Sequence, residues 1–225
     1  MEFPHFTIEA LAEKIPESLL ARSGKVFYSG RQAFSKPSPL YVLGVNPGGD
    51  PAHYESETVG NHTAAVLHAH PDDWSAYRDE SWEGAVSGTY GMAPRVLHLF
   101  KSLGLSPGEV PSSNLVFARS RREGDMGSEI TSFADLCWPF HACAIQRLRP
   151  RAILCFGKTA GNYVRRKVGA NTLHAEFVEN NNRRWRSQTF AGNTGLKVVV
   201  ATHPSIADWR AASTDPTELV RQAMQ

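Results

Sequence analysis

The sequence predicts an α/β protein, a three-layer α/β/α sandwich around a mostly parallel sheet of about four strands. Three observations support this expectation. Short β-branched apolar runs are widely separated, and stretches with helical periodicity fall between them. The 225 residues are enough for one sizeable core, whereas two domains would each be small. We therefore expect a single domain over residues 1–225, with an inserted segment at about 50–88.

Four apolar runs predict the strands. They show little alternation with polar residues, which is typical of strands buried on both faces of a parallel sheet. The runs lie at residues 40–45, 115–118, 152–156 and 197–201.

Helices are predicted between and beside these strands. Pro94 suits the first turn of one helix, and Ser132 and Asp135 have the spacing of a capping box at the start of another. The predicted helices cover residues 7–20, 94–103, 132–148, 158–168 and a segment that opens near 215.

The segment at 50–88 shows neither a strand nor a helix period. Its 39 residues are too many for a plain connection, so we expect it to be functional or to hold short helices. It contains four histidines, but no pair has the i, i+4 spacing of a helical zinc site. Its aromatic content is typical of a lid segment that covers a bound ligand.

Composition limits the classes of protein that fit. A 41% hydrophobic and 20% charged content is that of an ordinary globular protein. No apolar run approaches the roughly 20 residues of a membrane helix, and residues 1–4 lack a signal pattern. Three cysteines without a C-x-x-C argue against a disulfide framework and a zinc site. We expect a cytoplasmic protein that does not contact the membrane.

The net charge of +2 conceals an asymmetry. Residues 119–186 carry 13 Lys and Arg against 6 Asp and Glu, whereas residues 1–118 carry 8 against 13. The basic clusters form either a phosphate-binding surface or a set of solvated helix faces.

Two predicted strands run into turns that carry polar residues. The first continues into Asn46, Pro47 and Gly48, and the last into His203. Ligands of open α/β sheets bind at the carboxyl ends of the strands. Either turn alone is weak support, since a turn of this kind or a lone histidine commonly has a structural role.

Together and in order, these turns resemble a known family. Gly44-Val45-Asn46-Pro47-Gly48 resembles the first motif of the uracil-DNA glycosylase superfamily, and His203-Pro204-Ser205 resembles the second. Residues 113–119, 137–140 and 148–160 resemble the middle of the bacterial and archaeal branch that carries an iron–sulfur cluster. The resemblance spans roughly residues 38 to 210, apart from the gap at 50–88.

The resemblance implies a DNA glycosylase that flips a base out of DNA and hydrolyses its N-glycosidic bond, with uracil as the default base. His203 would donate a hydrogen bond to the base, and Asn46 would hold the attacking water. Asn114 would read the base edge, because its amide offers both a donor and an acceptor. The remaining base-binding positions implied are Tyr90, as the stacking ring, with Gly44 and Val45.

Further residues are assigned with alternatives left open. Asp50 is either a second water-holding residue or a turn residue. DNA contacts are expected from Ser205 and Arg119, and either Ile206 or Trp209 would fill the gap left by the flipped base. The partner is therefore DNA, duplex or single-stranded, and we expect a monomer.

Departures from the family exclude part of its chemistry. Ala118 stands where the iron–sulfur branch has a cysteine, the N-terminus has none, and only Cys137 lies at a ligand-like position. We therefore expect no cluster, no metal and no other cofactor. No lysine stands in a motif position, so Schiff-base chemistry is not implied.

Two alternatives to uracil excision remain. The size of the 50–88 insertion favours a glycosylase for a bulky modified pyrimidine, such as those of phage DNA, with a defence role. The other is a catalytically inactive nucleic-acid-binding module of the same fold. A nucleotide-hydrolysing domain is disfavoured, because the sequence has neither a P-loop nor a G-x-G-x-x-G motif.

Overall fold

The computed structural model describes residues 7–225, which contain eight α-helices and six β-strands. In chain order these are α1 (Ile8–Ala12), α2 (Arg31–Phe34), β1 (Leu40–Gly44), α3 (Val59–His68), α4 (Ala76–Asp79), α5 (Ala93–Leu103), β2 (Ser112–Asn114), α6 (Glu129–Leu148), β3 (Ala152–Phe156), α7 (Lys158–Lys167), β4 (Thr172–Val178), β5 (Arg186–Ala191), β6 (Lys197–Ala201) and α8 (Thr217–Ala223). Residues 1–6, where we expect no export signal, lie outside the described part. No helix within it combines the length and apolar character needed to cross a bilayer.

The strands form one mixed sheet in the order β2-β1-β3-β6-β5-β4. β1 pairs in parallel with β2 and β3, and β3 pairs in parallel with β6. β5 runs antiparallel to both β6 and β4. The α/β class is thus confirmed, and the expectation of about four strands is wrong. The four parallel strands are extended by an antiparallel hairpin, β4–β5.

The central strands are apolar because both of their faces are covered. Successive side chains of a strand point to opposite faces, yet every residue of β1 and of β3 is buried. Three of the four predicted strands therefore match β1, β3 and β6 to within one residue.

The strand predicted at 115–118 is displaced. β2 is Ser112–Asn114, and the apolar run follows it as a buried segment. The two serine side chains of β2 are tolerated because they are hydrogen-bonded, as where Ser113 Oγ donates to Val26 O at 2.6 Å. The apolar run still touches β1, since Leu115 N donates to Gly44 O at 2.9 Å.

The helix predictions hold for α5 and α7 and need correction at two places. α6 begins at Glu129 rather than at Ser132, so the predicted capping box is wrong. Asp135 instead accepts a hydrogen bond from the Tyr163 hydroxyl at 2.6 Å. The single helix expected over 7–20 is split into α1 and a 3-10 turn at Glu17–Leu19, since Pro16 cannot continue a helix. The C-terminal helix begins at Thr217, close to the expected position.

The 50–88 segment holds short helices of its own, as one of the two expectations required. It contains a 3-10 turn at Pro51–Tyr54 followed by α3 and α4. Trp74 and Tyr77 are buried in the main core. Arg31 donates to the carbonyls at the end of α3, among them Leu67 O at 2.7 Å. The segment is therefore packed into the fold along much of its length.

Helix α7 lies close against β6 because it has a glycine at the contact. A Cβ on Gly161 would lie 2.5 Å from both γ-carbons of Val200. A real side chain cannot fit at that distance, so the residue sets how closely the helix approaches the sheet.

Gly161→Ala should destabilise the protein. Overpacking a core contact typically costs about 1–3 kcal/mol, which exceeds the helix-propensity gain of about 1 kcal/mol. Urea unfolding measures the change, with the exposed α7 substitution Arg166→Ala as the control. A Gly161→Ala protein as stable as the wild type would show that the helix is free to shift.

Candidate functional site

The carboxyl ends of the parallel strands open onto a pocket of about 940 Å³. Four strand ends and the β4–β5 hairpin contribute to its walls. The strand ends supply Gly44, Val45, Asn46, Asn114, Gly157, Lys158, Thr202, His203, Ser205 and Ile206. The hairpin supplies Arg184, Trp185, Arg186 and Gln188, and other segments add Met92, Arg121, Glu123 and Thr159.

Asn46 is oriented by its own amide nitrogen. Nδ2 donates to Ser120 Oγ at 2.8 Å and to Pro47 O at 2.9 Å. An amide carries two N–H donors, so both are engaged and the Oδ1 atom is left as an acceptor at the pocket wall. An acceptor there is suited to holding a water or a hydroxyl group.

His203 is fixed in one tautomer by the turn that follows it. Its Nδ1 accepts from the backbone N–H of Ser205 at 3.1 Å, and lies 2.8 Å from Ser205 Oγ. A backbone N–H can only donate, so Nδ1 carries no proton and the neutral ring has its proton on Nε2.

The protonation state of His203 follows from its surroundings. Burial lowers the pKa of the imidazole below its ordinary value, and the nearby Glu123 carboxylate opposes this in part. The ring is therefore neutral at neutral pH, with Nε2–H available as a hydrogen-bond donor.

Asn114 contributes an unsatisfied amide. Its residue is only 3% exposed, and Nδ2 makes no hydrogen bond of ordinary geometry within the described residues, although the buried Tyr28 hydroxyl approaches the amide. A buried polar group of this kind is costly unless a ligand or water completes it. Asn114 lies opposite Gly44 in the sheet, and a Cβ on Gly44 would lie 2.2 Å from Asn114 Oδ1. Only glycine in β1 leaves room for this side chain.

Gly44 and Val45 lie in the pocket wall beside Asn46. Their carbonyls accept from Leu115 N at 2.9 Å and from Val116 N at 2.8 Å. These two carbonyls therefore connect the pocket wall to the segment that follows β2.

Two further predicted residues lie away from the pocket lining. Tyr90 is 48% exposed, and it is Met92, two positions later, that reaches the wall. Asp50 pairs with Arg121 and accepts from Ala52 N at 3.1 Å, which caps the 3-10 turn. The structure thus gives Asp50 the role of a turn residue.

The expected DNA contacts divide into two groups. Ser205 and Ile206 are exposed and lie at the pocket mouth. Trp209 is fully buried, and its Nε1 donates to Thr202 O at 3.1 Å. Its expected role at the DNA surface is therefore wrong, because its ring packs edge-on against Phe156 in the core.

Arg119 is a structural residue rather than a DNA contact. Its side chain is 4% exposed and pairs with Glu57. It also donates to Gly48 O and lies 4.2 Å from the ring centroid of Tyr54. Arg119 thus braces the turn after β1 against the 50–88 segment.

Several pocket residues were not predicted. Lys158 and Thr159 begin α7, and Thr159 donates to Glu123. Trp185 and Gln188 come from the hairpin. The one sequence signal for the hairpin residues is a tryptophan placed among three arginines at 183–186. By contrast, residues 50–88 contribute nothing to the described lining, so the structure gives the expected lid no support.

No protein-family model matches the sequence, and a search of curated proteins finds no match.

Across residues 7–225, no three His, Cys, Asp or Glu side chains group together as a metal site would require. Among the insertion's histidines, His62 is buried and His70 stacks on Trp74 with centroids 4.3 Å apart.

Glu123→Gln should lower the pKa of His203 further, because it removes the negative charge that favours the imidazolium. Titration of the His203 ring protons by NMR measures the shift, with Glu129→Gln as a charge-matched control. In the wild type, we expect the ring to stay neutral to a lower pH than an ordinary histidine with a pKa of about 6.5. A His203 that titrates above that value would contradict the neutral-donor assignment.

Proposed function

We propose that this protein is a monofunctional DNA glycosylase related to the uracil-DNA glycosylase superfamily. It would take a flipped-out base into the pocket and hydrolyse its N-glycosidic bond, leaving an abasic site. One observation carries the proposal. Asn46, Asn114 and His203 come from three separate strand ends, line one pocket, and each has a hydrogen-bonding atom that makes no hydrogen bond of ordinary geometry within the described residues.

The three groups suit the charges that develop in this reaction. The bond between the sugar C1′ and the base nitrogen breaks, and its electron pair goes to the base. The His203 Nε2–H then stabilises the negative charge on the base without giving up its proton. Water held at Asn46 Oδ1 adds to the cationic sugar, and the proton it releases passes to the departing base or to solvent.

Asn114 supports recognition of a pyrimidine edge. Its Nδ2 can donate to a carbonyl of the base, and Oδ1 can accept from a ring N–H. A base that offers the matching pair satisfies the buried amide, whereas a mismatched base leaves it unpaired at a cost of about 1–3 kcal/mol. Uracil, with O4 beside N3–H, is the default fit.

The charge at the pocket supports DNA as the partner. Lys158 and Arg184 line the pocket, and neither has an ion-pair partner within residues 7–225. Arg121 and Arg186 also line it but are paired with Asp50 and Glu176. The two unpaired cations are suited to phosphate contacts, which supply most of the affinity of non-specific DNA binding.

A second candidate substrate is a larger, modified pyrimidine, and the pocket volume favours it. About 940 Å³ lies at the upper end of the roughly 300–1,000 Å³ found for drug-sized ligands. The lining includes Gln188 on the hairpin as well as the residues at the strand ends. The hairpin, rather than the 50–88 insertion, would then accommodate the substituent, and a role in defence against phage DNA would follow.

Asn46→Ala and His203→Ala should each lower single-turnover cleavage of uracil-containing DNA by about 10²-fold or more, the scale of losing one preorganised transition-state interaction. DNA affinity should change little. Abasic-site formation on labelled oligonucleotides measures the rate, and Leu173→Ala on the exposed β4 edge serves as the control. DNA binding with no abasic sites on any base tested would favour the inactive binding module instead.

The substrate question is tested with a panel of uracil, thymine-mismatch and hypermodified pyrimidine DNAs. If the larger base is used, Gln188→Ala should slow its excision about tenfold, the effect of losing one polar contact. Uracil excision should be unaffected, because uracil lacks the substituent that Gln188 would contact. Equal effects on both bases, or excision of uracil alone, would remove the second candidate.

A further inference from the structure

The mouth of the pocket carries two exposed apolar side chains. Trp185 is 40% exposed and precedes β5, and Ile206 is 55% exposed and follows the His203 turn. Both line the pocket. A tryptophan is costly to leave in water, and exposed tryptophans are enriched at binding surfaces.

Contacts from neighbouring residues hold Trp185 in its position. The Arg183 guanidinium lies 4.0 Å from the Trp185 ring centroid. Arg183 Nη1 donates to Ile206 O at 2.6 Å, and Nη2 donates to Glu179 Oε2 at 3.0 Å. The Glu179 side chain is 1% exposed. A buried carboxylate requires its partner, so Arg183 is held in place and keeps the ring of Trp185 fixed above it.

A fixed ring with one face on a guanidinium presents its remaining surface at the pocket mouth. Aromatic faces of this kind stack on nucleobases of any sequence. When one base leaves the helix to enter the pocket, its neighbour in the strand loses a stacking partner at this point. The unpaired Arg184 next to Trp185 would contact the intervening phosphate.

We propose that Trp185, supported by Arg183, is a second nucleobase subsite that stacks on the base adjacent to the excised one. This inference rests on the proposed function, because it takes the ligand to be DNA. It predicts that affinity depends on a base next to the target as well as on the target itself.

The test measures binding and requires no cleavage. Single-stranded oligonucleotides carry an abasic analogue at the central position, and a second analogue replaces the 5′ or the 3′ neighbour. Fluorescence anisotropy gives Kd for the wild type and for Trp185→Ala, Trp185→Leu and Trp185→Phe. Leu173→Ala, an exposed apolar residue of the same hairpin, is the control.

Trp185→Ala and Trp185→Leu should each weaken binding by about 5- to 150-fold, the range for losing one base–aromatic stack. Trp185→Phe should keep most of the affinity because it retains a ring. Removing the neighbouring base on one side should weaken wild-type binding by the same factor as Trp185→Ala does. Once that base is removed, Trp185→Ala should have no further effect on Kd, as a double-mutant cycle requires for a direct contact.

The outcomes separate this proposal from the proposed function. If Trp185→Ala weakens binding even when neither neighbouring base is present, or does not weaken it at all, the proposed subsite is wrong. Either result leaves the proposed glycosylase function unaffected. A coupled effect in a protein that cuts no base would support the subsite and count against the glycosylase. No measurable binding to any oligonucleotide would overturn both.

Discussion

The parallel pairing of β1 with β2 and β3 determines where the pocket forms. A parallel sheet brings all its carboxyl ends to one edge, so the residues that follow β1, β2 and β6 meet there although they are distant in sequence. The register matters as much as the direction. Gly44 opposite Asn114, and Phe156 opposite Ala201, bring Asn114 and His203 into the same pocket. A shift in either pairing would move one of these side chains away from the others.

Several basic residues of the chain hold segments of the protein together. Arg119 and Arg183 are used internally, each bridging two segments around the pocket. Lys167 is paired with Asp135 on the outer surface. The positive block at 119–186 is therefore neither wholly a phosphate-binding surface nor wholly a solvated face, because part of it holds together the loops that shape the site.

The sequence predicted the central strands and the two site turns well, and physical reasons explain the rest. β1, β3 and β6 are buried on both faces and read as apolar runs. β4 is largely exposed and has no such run, so the hairpin and its pocket residues Trp185 and Gln188 were missed. Trp209 was misplaced because a tryptophan in the loop after a strand fits the core and the surface equally well by composition.

The bond from Arg183 to the Ile206 carbonyl also limits how the mouth can move. It joins the hairpin to the loop after His203, and the same guanidinium neutralises a carboxylate that water does not reach. Movement of either element alone would break this hydrogen bond. A ligand that fits the mouth with this bond intact sacrifices little conformational entropy of the protein on binding. Such a mouth would select among ligands by its shape rather than by closing around them.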